Sequence, residues 1–287
     1  MNDKRLSRNE FMPERDMPFN VIRRAPQTAY PLHCHDFSEL VIVYGGEGIH
    51  FSEFYSHRIK SGDVFVVNAS SIHGYKETKA LHLVNILFLP GSLSAPLFDL
   101  PLKPAFHMLF TLEPEYRDSG VDSGGLHLND KQLAEVMALV DKMENEIREQ
   151  QVGCRTFAAG CFMQLAVMLT RCYDVPRHVI PEKMMKISEI LAYLNRYYRS
   201  ELNMSDLCSG HGMSESTLTR SFKQATGVTV YSYCLKLRLR HASMLLKNTD
   251  LSISEIAVAV GFEDSNYFSR AFKRSYGLTP REHRALS

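Results

Sequence analysis

Two groups of residues in this 287-residue chain have the types and spacing to do chemistry. The first is His33, His35 and Glu39, joined 34 residues beyond the glutamate by His73. Imidazole nitrogens and a carboxylate ligate borderline divalent metals, and the same groups hydrogen-bond the hydroxyls of a polyol. His33 and His35 share one face of a strand, and Glu39 shares it if the strand stays regular. The second group is written twice: Arg220-Ser221-Phe222-Lys223 matches Arg270-Ala271-Phe272-Lys273 at a spacing of fifty residues. Arginine pairs bidentately with guanine O6 and N7, whereas lysine meets phosphate as a point charge.

The elements around the second group position it for that chemistry. Residues 204–227 and 253–277 each run a short apolar helix, a glycine-containing turn, a second helix with Arg-x-Phe-Lys and a closing glycine. This is a helix–turn–helix, whose second helix enters the major groove, and two on one chain can read successive turns of DNA. Leu218 and Phe222, like Phe268 and Phe272, are four residues apart and face the core. Ser214 and Asp264 are good N-caps. Outward near the N-terminus of each second helix stand Glu215, Ser216, Thr219 and Arg220, and then Ser265, Asn266, Ser269 and Arg270. Asparagine pairs with adenine as arginine does with guanine. Lys223, Lys273 and Arg274 lie further along and suit phosphates. An ordinary solvated face carries the same residue types, and the duplication weighs against that reading. Leu235, Leu239, Ala242 and Leu246 mark a connecting helix over 231–247. At 1.5 Å per residue it spans about 25 Å, which with the flanking units approaches the ~34 Å turn of B-DNA.

Composition agrees. Hydrophobic residues at 45% and charged residues at 23% are typical of a globular chain long enough for two domains. The net charge is +1, but residues 181–287 carry 15 Lys/Arg against 10 Asp/Glu, and residues 1–180 carry 18 against 22. The basic excess falls on the repeat, where a polyanion would bind. The six cysteines form no Cys-x-x-Cys and no paired framework, so they are expected to be reduced and buried. The N-terminus has no apolar run for a signal peptide, and no stretch reaches the roughly 20 apolar residues of a membrane span. A cytoplasmic protein without membrane contact is expected.

The first half reads as strands. ELVIVY (39–44) ends at Gly45-Gly46, GIHFSEF follows, YSHRIKSGDVFVVN turns at Ser61-Gly62-Asp63, and LHLVNILFL (81–89) ends at Pro90-Gly91. Strands so spaced suggest a sandwich or small barrel. Residues 90–126, rich in proline and glycine, read as a long irregular connection that partly covers a pocket. Leu133, Val136, Met137, Val140, Met143 and Ile147 then form a stripe on a helix, and after Gly153 a second, more apolar helix covers 155–172. Either both helices pack on the strand domain, or they form a hairpin that dimerises. The expected fold class is α+β: a strand-rich domain over 1–126, a helical hairpin over 127–174, a proline-bearing linker over 175–182 and an all-α domain over 183–287.

Residues 183–287 resemble the AraC/XylS family of transcription regulators, through TLTRSFKQATGVTVYSYCLKLRLRHASMLL (217–246) and GFEDSNYFSRAFKRSYGLTPREHR (261–284). The resemblance implies seven helices with two helix–turn–helix units joined by a long helix. It places Ser216, Thr219 and Arg220, and Ser265, Asn266 and Arg270, where the family's recognition helices meet bases. In the first half, His33-Cys34-His35-Asp36-Phe37-Ser38-Glu39 leading to Gly46 resembles the first cupin motif. Gly62-x5-Asn68-x-Ser70-x2-His73 resembles the second, with Asn68, Ser70 and Glu77 where the motif has Pro, Gly and Asn. The whole layout is similar to the L-rhamnose-responsive, sugar-type branch of the family.

Three readings of the cluster stand open. His33, His35, Glu39 and His73 are polar residues of a barrel mouth without a ligand; or they hydrogen-bond a sugar-like effector; or they bind a divalent metal that itself holds the effector. The chain as a whole is expected to be a ligand-responsive, homodimeric regulator. Its effector, a sugar or derivative, shifts the population toward the arrangement that engages double-stranded DNA and recruits RNA polymerase, activation being what the resemblance implies. The alternative is a metal-dependent cupin enzyme, an isomerase or oxygenase, fused to a DNA-binding domain.

Overall fold

The computed structural model describes residues 4–12, 17–89, 99–118, 125–173 and 181–285. The chain divides into two compact units, the principal boundary falling between Met185 and Lys186. Most of the expected linker 175–182 lies outside the described residues, as do 90–98 and 119–124 of the expected irregular connection.

The strand-like runs of the first unit build one curled sheet. Its strands are β1 (Lys4–Leu6), β2 (Phe19–Arg24), β3 (Tyr30–His35), β4 (Ser38–Phe51), β5 (Ser56–Lys60), β6 (Asp63–Val67), β7 (His73–Phe88) and β8 (Leu126–His127). A short helix, α1 (Arg8–Phe11), follows β1. The spine is the antiparallel pair β4 and β7. β2 and β3 add to β7, β5 and β6 add to β4, and β1 lies parallel to β3.

Gly45-Gly46 does not end a strand. β4 runs on to Phe51 through register shifts between Val43 and Ile49. Gly46 has φ +66, and a Cβ there would sit 2.0 Å from Ala80 O, so only glycine lets the two backbones approach at this bulge. Bulges bend a strand, and here β4 exchanges its outer partner β6 for β5 across them. The sheet thereby curls around a core of Val41, Val43, Ile59, Phe65, Leu81 and Leu83. The β5–β6 turn falls at Ser61-Gly62, as its sequence suggests.

Within the 90–126 segment, residues 100–118 are mostly helical and Leu126 begins β8. A 3-10 turn over Leu100–Leu102 leads to α2 (Pro104–His107), a π-helical turn over Met108–Leu112 and α3 (Glu113–Asp118). Its apolar residues Phe106, Met108, Leu109 and Leu112 are buried, which overrides the proline and glycine signals on either side. Arg117 donates to Val66 O at 2.9 Å and Asn68 donates to Glu115 at 2.9 Å, which fixes α3 against β6.

The helical hairpin is α4 (Asp130–Glu149) and α5 (Cys154–Cys172). A capping box of Asn129 and Gln132 starts α4, and Gly153 at φ 90 turns the chain into α5. The stripe on α4 packs within the chain: Val136, Val140 and Met143 are fully buried, against α5 and β2. Phe162 of α5 meets Phe19 and Phe88 of the sheet at ring-centroid distances of 4.6 and 5.1 Å. Arg23 of β2 pairs with Asp141 and Glu144 at 2.6 and 2.7 Å. The hairpin stripe is therefore core, and Leu133 and Ile147 at its ends are half-buried.

From Glu182 the described residues form seven helices: α6 (Glu182–Tyr197), α7 (Met204–Gly210), α8 (Glu215–Thr226), α9 (Val230–Asn248), α10 (Ile253–Ala259), α11 (Ser265–Tyr276) and α12 (Pro280–Ala285). α9 has 19 residues and spans about 28 Å. It buries Cys234 and Leu237 besides Leu239, Ala242 and Leu246, because α8, α10, α11 and α12 all pack on it.

Replacing Val140 by Asp should prevent the first unit from folding, since an unpaired carboxylate in a closed core costs several kcal/mol, about 3 or more. Circular dichroism and sedimentation of the variant check this. A folded monomer would return the stripe to the subunit interface.

Candidate effector pocket and nucleic-acid interface

In the first unit, strand pairing brings the chemistry together. β3 ends at His35, a bend at Asp36-Phe37 follows, and Glu39 lies on β4, so the strand is interrupted between the two. His33 nevertheless pairs with His73 across β3 and β7. All four residues are buried. The ligand atoms of His35, Glu39 and His73 lie within 4.8 Å of one another, whereas His33 stands outside that set. Its Nδ1 donates to Pro31 O at 3.1 Å, and its ring lies 4.3 Å from that of His73. The four-ligand set expected for a metal therefore reduces to three.

A fourth buried histidine, His50, belongs to the cluster. His35 Nδ1 lies 2.5 Å from Phe37 O, and a carbonyl only accepts, so the proton is on Nδ1 and Nε2 is bare. His73 Nε2 must then donate to His35 Nε2 at 3.1 Å, which leaves His73 Nδ1 to accept from His50 Nε2 at 3.0 Å. His50 Nδ1 in turn accepts from Tyr55 Oη at 3.3 Å. One carbonyl thus sets the tautomer of three neutral rings. Burial holds them neutral: it lowers His35 to about 4 and depresses His50 and His73 well below the ordinary 6.5. Burial also raises Glu39 to about 8, against the opposing charge of Arg24 and the Asn85 hydrogen bond.

His50 lies in the GIHFSEF run, and its spacing in the sequence does not join it to His33, His35 and Glu39. The bulges of β4 break the period-2 alternation that would have placed His50 on the inner face with Val41 and Val43. Tyr75, two residues after His73 on β7, carried a usable signal of shared face.

Beside the cluster lies a cavity of 340 Å³. Arg24, Gln27, Tyr30, His33, Glu39, Tyr75 and Asn85 give it a polar wall, and Leu6, Phe11, Ile22 and Phe37 an apolar one. Tyr75 Oη and Asn85 Oδ1 are buried without a hydrogen-bond partner among the described residues. Buried polar atoms are nearly always paired, so these two mark a place where a ligand or water completes the bonding. Leu6 of β1 and Phe11 of α1 stand in the lining and no described residue of 99–118 does; 90–98 and 119–124 of the expected cover lie outside the described residues.

In the second unit, α8 and α11 are the second helices of the two repeats. Ser214 accepts from Thr217 N and Asp264 from Asn266 N, so both expected caps form. Gly227 and Gly277 close the helices in left-handed conformation. Glu215, Ser216, Thr219, Arg220 and Lys223 are all exposed on one face of α8. Asn266, Arg270, Lys273 and Arg274 are exposed on α11. Ser265 and Ser269 are half-buried, and the Ser269 hydroxyl donates to Ser265 O at 2.9 Å, which removes it from the outward set. Leu218, Phe222, Phe268 and Phe272 are fully buried, as their spacing requires. The turns differ by one residue, and Gly261 (φ +91) has Arg199 O 2.3 Å from where a Cβ would stand, whereas Gly212 (φ +57) is open.

A ligand-sized cavity in a curled sheet, followed by two capped helix–turn–helix units, defines a ligand-responsive transcription regulator. Residues 21–166 match the AraC-like ligand binding domain, and residues 207–285 match the helix-turn-helix domain. The chain is 31% identical over 280 residues to the HTH-type transcriptional activator RhaR of Mannheimia succiniciproducens, covering 98% of this chain and 96% of that protein. It is 32% identical over 282 residues to the RhaR of Yersinia pestis bv. Antiqua (strain Angola), covering 97% and 93%. Among solved structures, the C-terminal domain of the two-component response regulator yesN from Fusobacterium nucleatum is 36% identical, covering 33% of this chain and 93% of that one, with a TM-score of 0.32. The chain belongs to the AraC family of ligand-responsive, DNA-binding transcription regulators.

The buried cluster should make stability depend on pH. A histidine whose folded pKa is depressed takes up its proton on unfolding, so its contribution is whole above about 6.5 and falls as pH drops. Glu39 acts oppositely: its raised value favours the folded state below 4.5 and is lost as pH rises through about 8. Between 4.5 and 6.5 the three histidines outweigh the one carboxyl, so stability should fall with acidification. Each unmatched group at full slope contributes about 1.4 kcal/mol per pH unit. Urea denaturation of the first unit's signal at pH 7 and pH 5 measures it; a flat profile would mean that these rings are not held neutral.

In the second unit, Gly261→Ala should cost more than Gly212→Ala. Both lose a left-handed glycine at about 1 kcal/mol, and only the first adds a backbone clash of about 1–3 kcal/mol more. Thermal denaturation of the two variants compares them directly, and equal losses would show that Arg199 yields without cost.

Proposed function

We propose that the first unit binds a small polyhydroxylated effector in the 340 Å³ cavity and that the second reads DNA through α8 and α11, so that the chain activates transcription in answer to a sugar. The observation that carries the effector reading is the pair of unpartnered atoms, Tyr75 Oη and Asn85 Oδ1, in a cavity with one polar and one apolar wall. A 6-deoxyhexose such as L-rhamnose presents hydroxyls to one side and a methyl group to the other, and the likeness to relatives named as RhaR activators supports that class. Tyr75, Asn85, His33 and Glu39 would orient the hydroxyls while Phe11, Ile22 and Phe37 receive the apolar edge. Calorimetric titration against a panel of monosaccharides tests this. Tyr75→Phe and Asn85→Leu should each weaken binding by about 1–3 kcal/mol; undiminished affinity in both would move the effector elsewhere.

At the DNA face, Arg220, Arg270 and Asn266 would meet base edges, with Glu215, Ser216, Thr219 and Ser265 beside them, and Lys223, Lys273 and Arg274 would meet phosphates. Arg270→Ala should cost about 1–3 kcal/mol on the specific site and little on scrambled DNA. Lys273→Ala should weaken both alike and flatten the salt dependence. Binding isotherms on the two DNAs at several salt concentrations separate these outcomes.

A homodimer completes the reading, with RNA polymerase as the partner it recruits in the cytoplasm. Among the described residues no helix is long and apolar enough to cross a membrane. With the α4 stripe internal, the subunit contact falls to the outer face of α5, where Phe157 is 48% exposed and Gly160, Met163, Val167 and Met168 are also accessible. These apolar residues are rimmed by the exposed Arg155, Gln164 and Arg171, the mixture of apolar centre and polar rim that a subunit contact presents. Val167→Asp should give a folded monomer with weaker DNA binding, because two linked readers gain from effective concentration; sedimentation decides, and a wild-type monomer at micromolar concentration removes the dimer. The alternative of a metal-dependent enzyme draws no support from these relatives, which are named as transcription regulators.

A further inference from the structure

β2 presents its two faces to two different parts of the first unit, because successive side chains of a strand point to opposite sides. Ile22 and Arg24 line the 340 Å³ cavity, and Asn20 on the same face donates to the carbonyl of Phe11, another lining residue, at 2.5 Å. Phe19 and Arg23, on the other face, meet the α4–α5 hairpin. The ring of Phe19 stands 4.6 Å from that of Phe162, and Arg23 donates to Glu144 at 2.7 and 3.1 Å and to Asp141 at 2.6 Å. The guanidinium lies 5.5 Å from the centre of the Tyr44 ring, so β4 backs it.

Backbone bonding holds β2 on one side only. It pairs with β7 and with no other described strand, and the amide of Val21 donates to the Asn20 side chain at 2.8 Å. Its place is therefore set largely by the side chains on its two faces. Across the β2–β7 pairing Ile22 stands opposite Asn85, whose Oδ1 is one of the two unpartnered atoms of the cavity. A ligand that bonds Asn85 acts one residue from Arg23. The Arg23 clamp is not what seats the hairpin. The side chains of Arg23, Asp141 and Glu144 are 28%, 59% and 31% exposed, and ion pairs so exposed add little to stability. Val136, Val140, Met143 and Phe162 hold the hairpin by burial. What the three charged bonds add is a directional link between strand and helix.

We infer that β2 carries occupancy of the cavity to the α4–α5 hairpin, and that Arg23 is the positioning residue that couples strand to helix. The inference rests on the cavity being the effector site. An effector shifts an equilibrium only through contacts that differ between two arrangements. Here the differing contacts are those of Ile22, Arg24 and Asn85, drawn onto the ligand. The arrangement they select includes the hairpin, because Arg23 is the next residue to Ile22 and grips α4. The outer face of α5 is the subunit contact proposed above, so the same shift reaches assembly.

Hydrogen–deuterium exchange of the full-length chain, followed over α4 and over β5 as a reference, tests the inference. The first comparison needs no ligand. Ile22→Ala opens the cavity face of β2 and should speed exchange in α4 severalfold while β5 changes little. In an Arg23→Gln background the same substitution should change α4 by less than about twofold. Unchanged α4 in folded Ile22→Ala, or equal loosening of α4 and β5, overturns the inference whether or not any sugar binds. The second comparison uses L-rhamnose as the probe. Saturating sugar should slow α4 exchange severalfold in the wild type and by less than about twofold in Arg23→Gln, with calorimetric affinity little changed. Glu144→Gln, made from the helix side, should reproduce that loss, and Arg23→Lys should recover part of the response. A residue that merely staples the hairpin would lower stability and leave the response whole, so full protection in sugar-bound Arg23→Gln also overturns the inference. A wild type that binds no L-rhamnose counts instead against the sugar assigned to the cavity, and the ligand-free comparison then decides the role of the strand.

Discussion

The pairing of β4 with β7 is the constraint on which the first unit depends. These two strands supply Glu39, His50, His73, Tyr75 and Asn85, and their bulged register bends one sheet so that residues far apart in sequence meet. Gly46 makes the bend feasible, because any side chain there would occupy the space of Ala80 O. The bend in turn forces several imidazoles into a volume from which water is excluded. At that depth a charged ring is unfavourable, and neighbouring rings discourage one another from protonating. Neutral rings satisfy one another only in a directed chain, and the carbonyl of Phe37 fixes its direction. Sheet geometry, tautomer and electrostatics are therefore one arrangement.

Helical periodicity made the second unit almost wholly legible. The repeat, both caps, the closing glycines and the buried Leu218, Phe222, Phe268 and Phe272 all follow from spacing within about 25 residues, because each helix–turn–helix is built from local contacts. The half-burial of Ser269 was not legible, since a serine's choice between water and its own helix backbone leaves no trace in periodicity.

Much of the first unit resisted reading for a corresponding reason. Its contacts are long-range, and its strands are bent where glycine signals a stop. Gly45-Gly46 looks like a turn and is a bulge, and His50, just beyond it, loses the alternation that would have marked its face. The α4 stripe was visible, but periodicity says only that a face is covered and not by which chain. The cover is α5 and β2 of the same chain, and α5 itself leaves Phe157 exposed and Val167 half-buried on its other side.

The two helix–turn–helix units are alike in fold and unlike in charge and constraint. α8 opens with Glu215 and offers Arg220 and Lys223, whereas α11 has no acid within its first turn and offers Arg270, Lys273 and Arg274. Gly261, pressed against Arg199 O, ties the second turn to the end of α6, and Arg238 of α9 holds the same junction through Tyr198 O and Ser200 O at 2.6 and 2.8 Å. The turn before α8 has no such close approach at Gly212. Lys273 and Arg274, on a helix behind a tightly held turn, suit firm docking on phosphates. A helix bearing an acid among its cations is repelled by phosphate at one end, and Glu215 finds a favourable partner only in a base-edge donor such as cytosine N4. On the reading proposed above, both helices read bases, through Arg220 on α8 and Arg270 and Asn266 on α11, and α11 adds the firmer phosphate anchor.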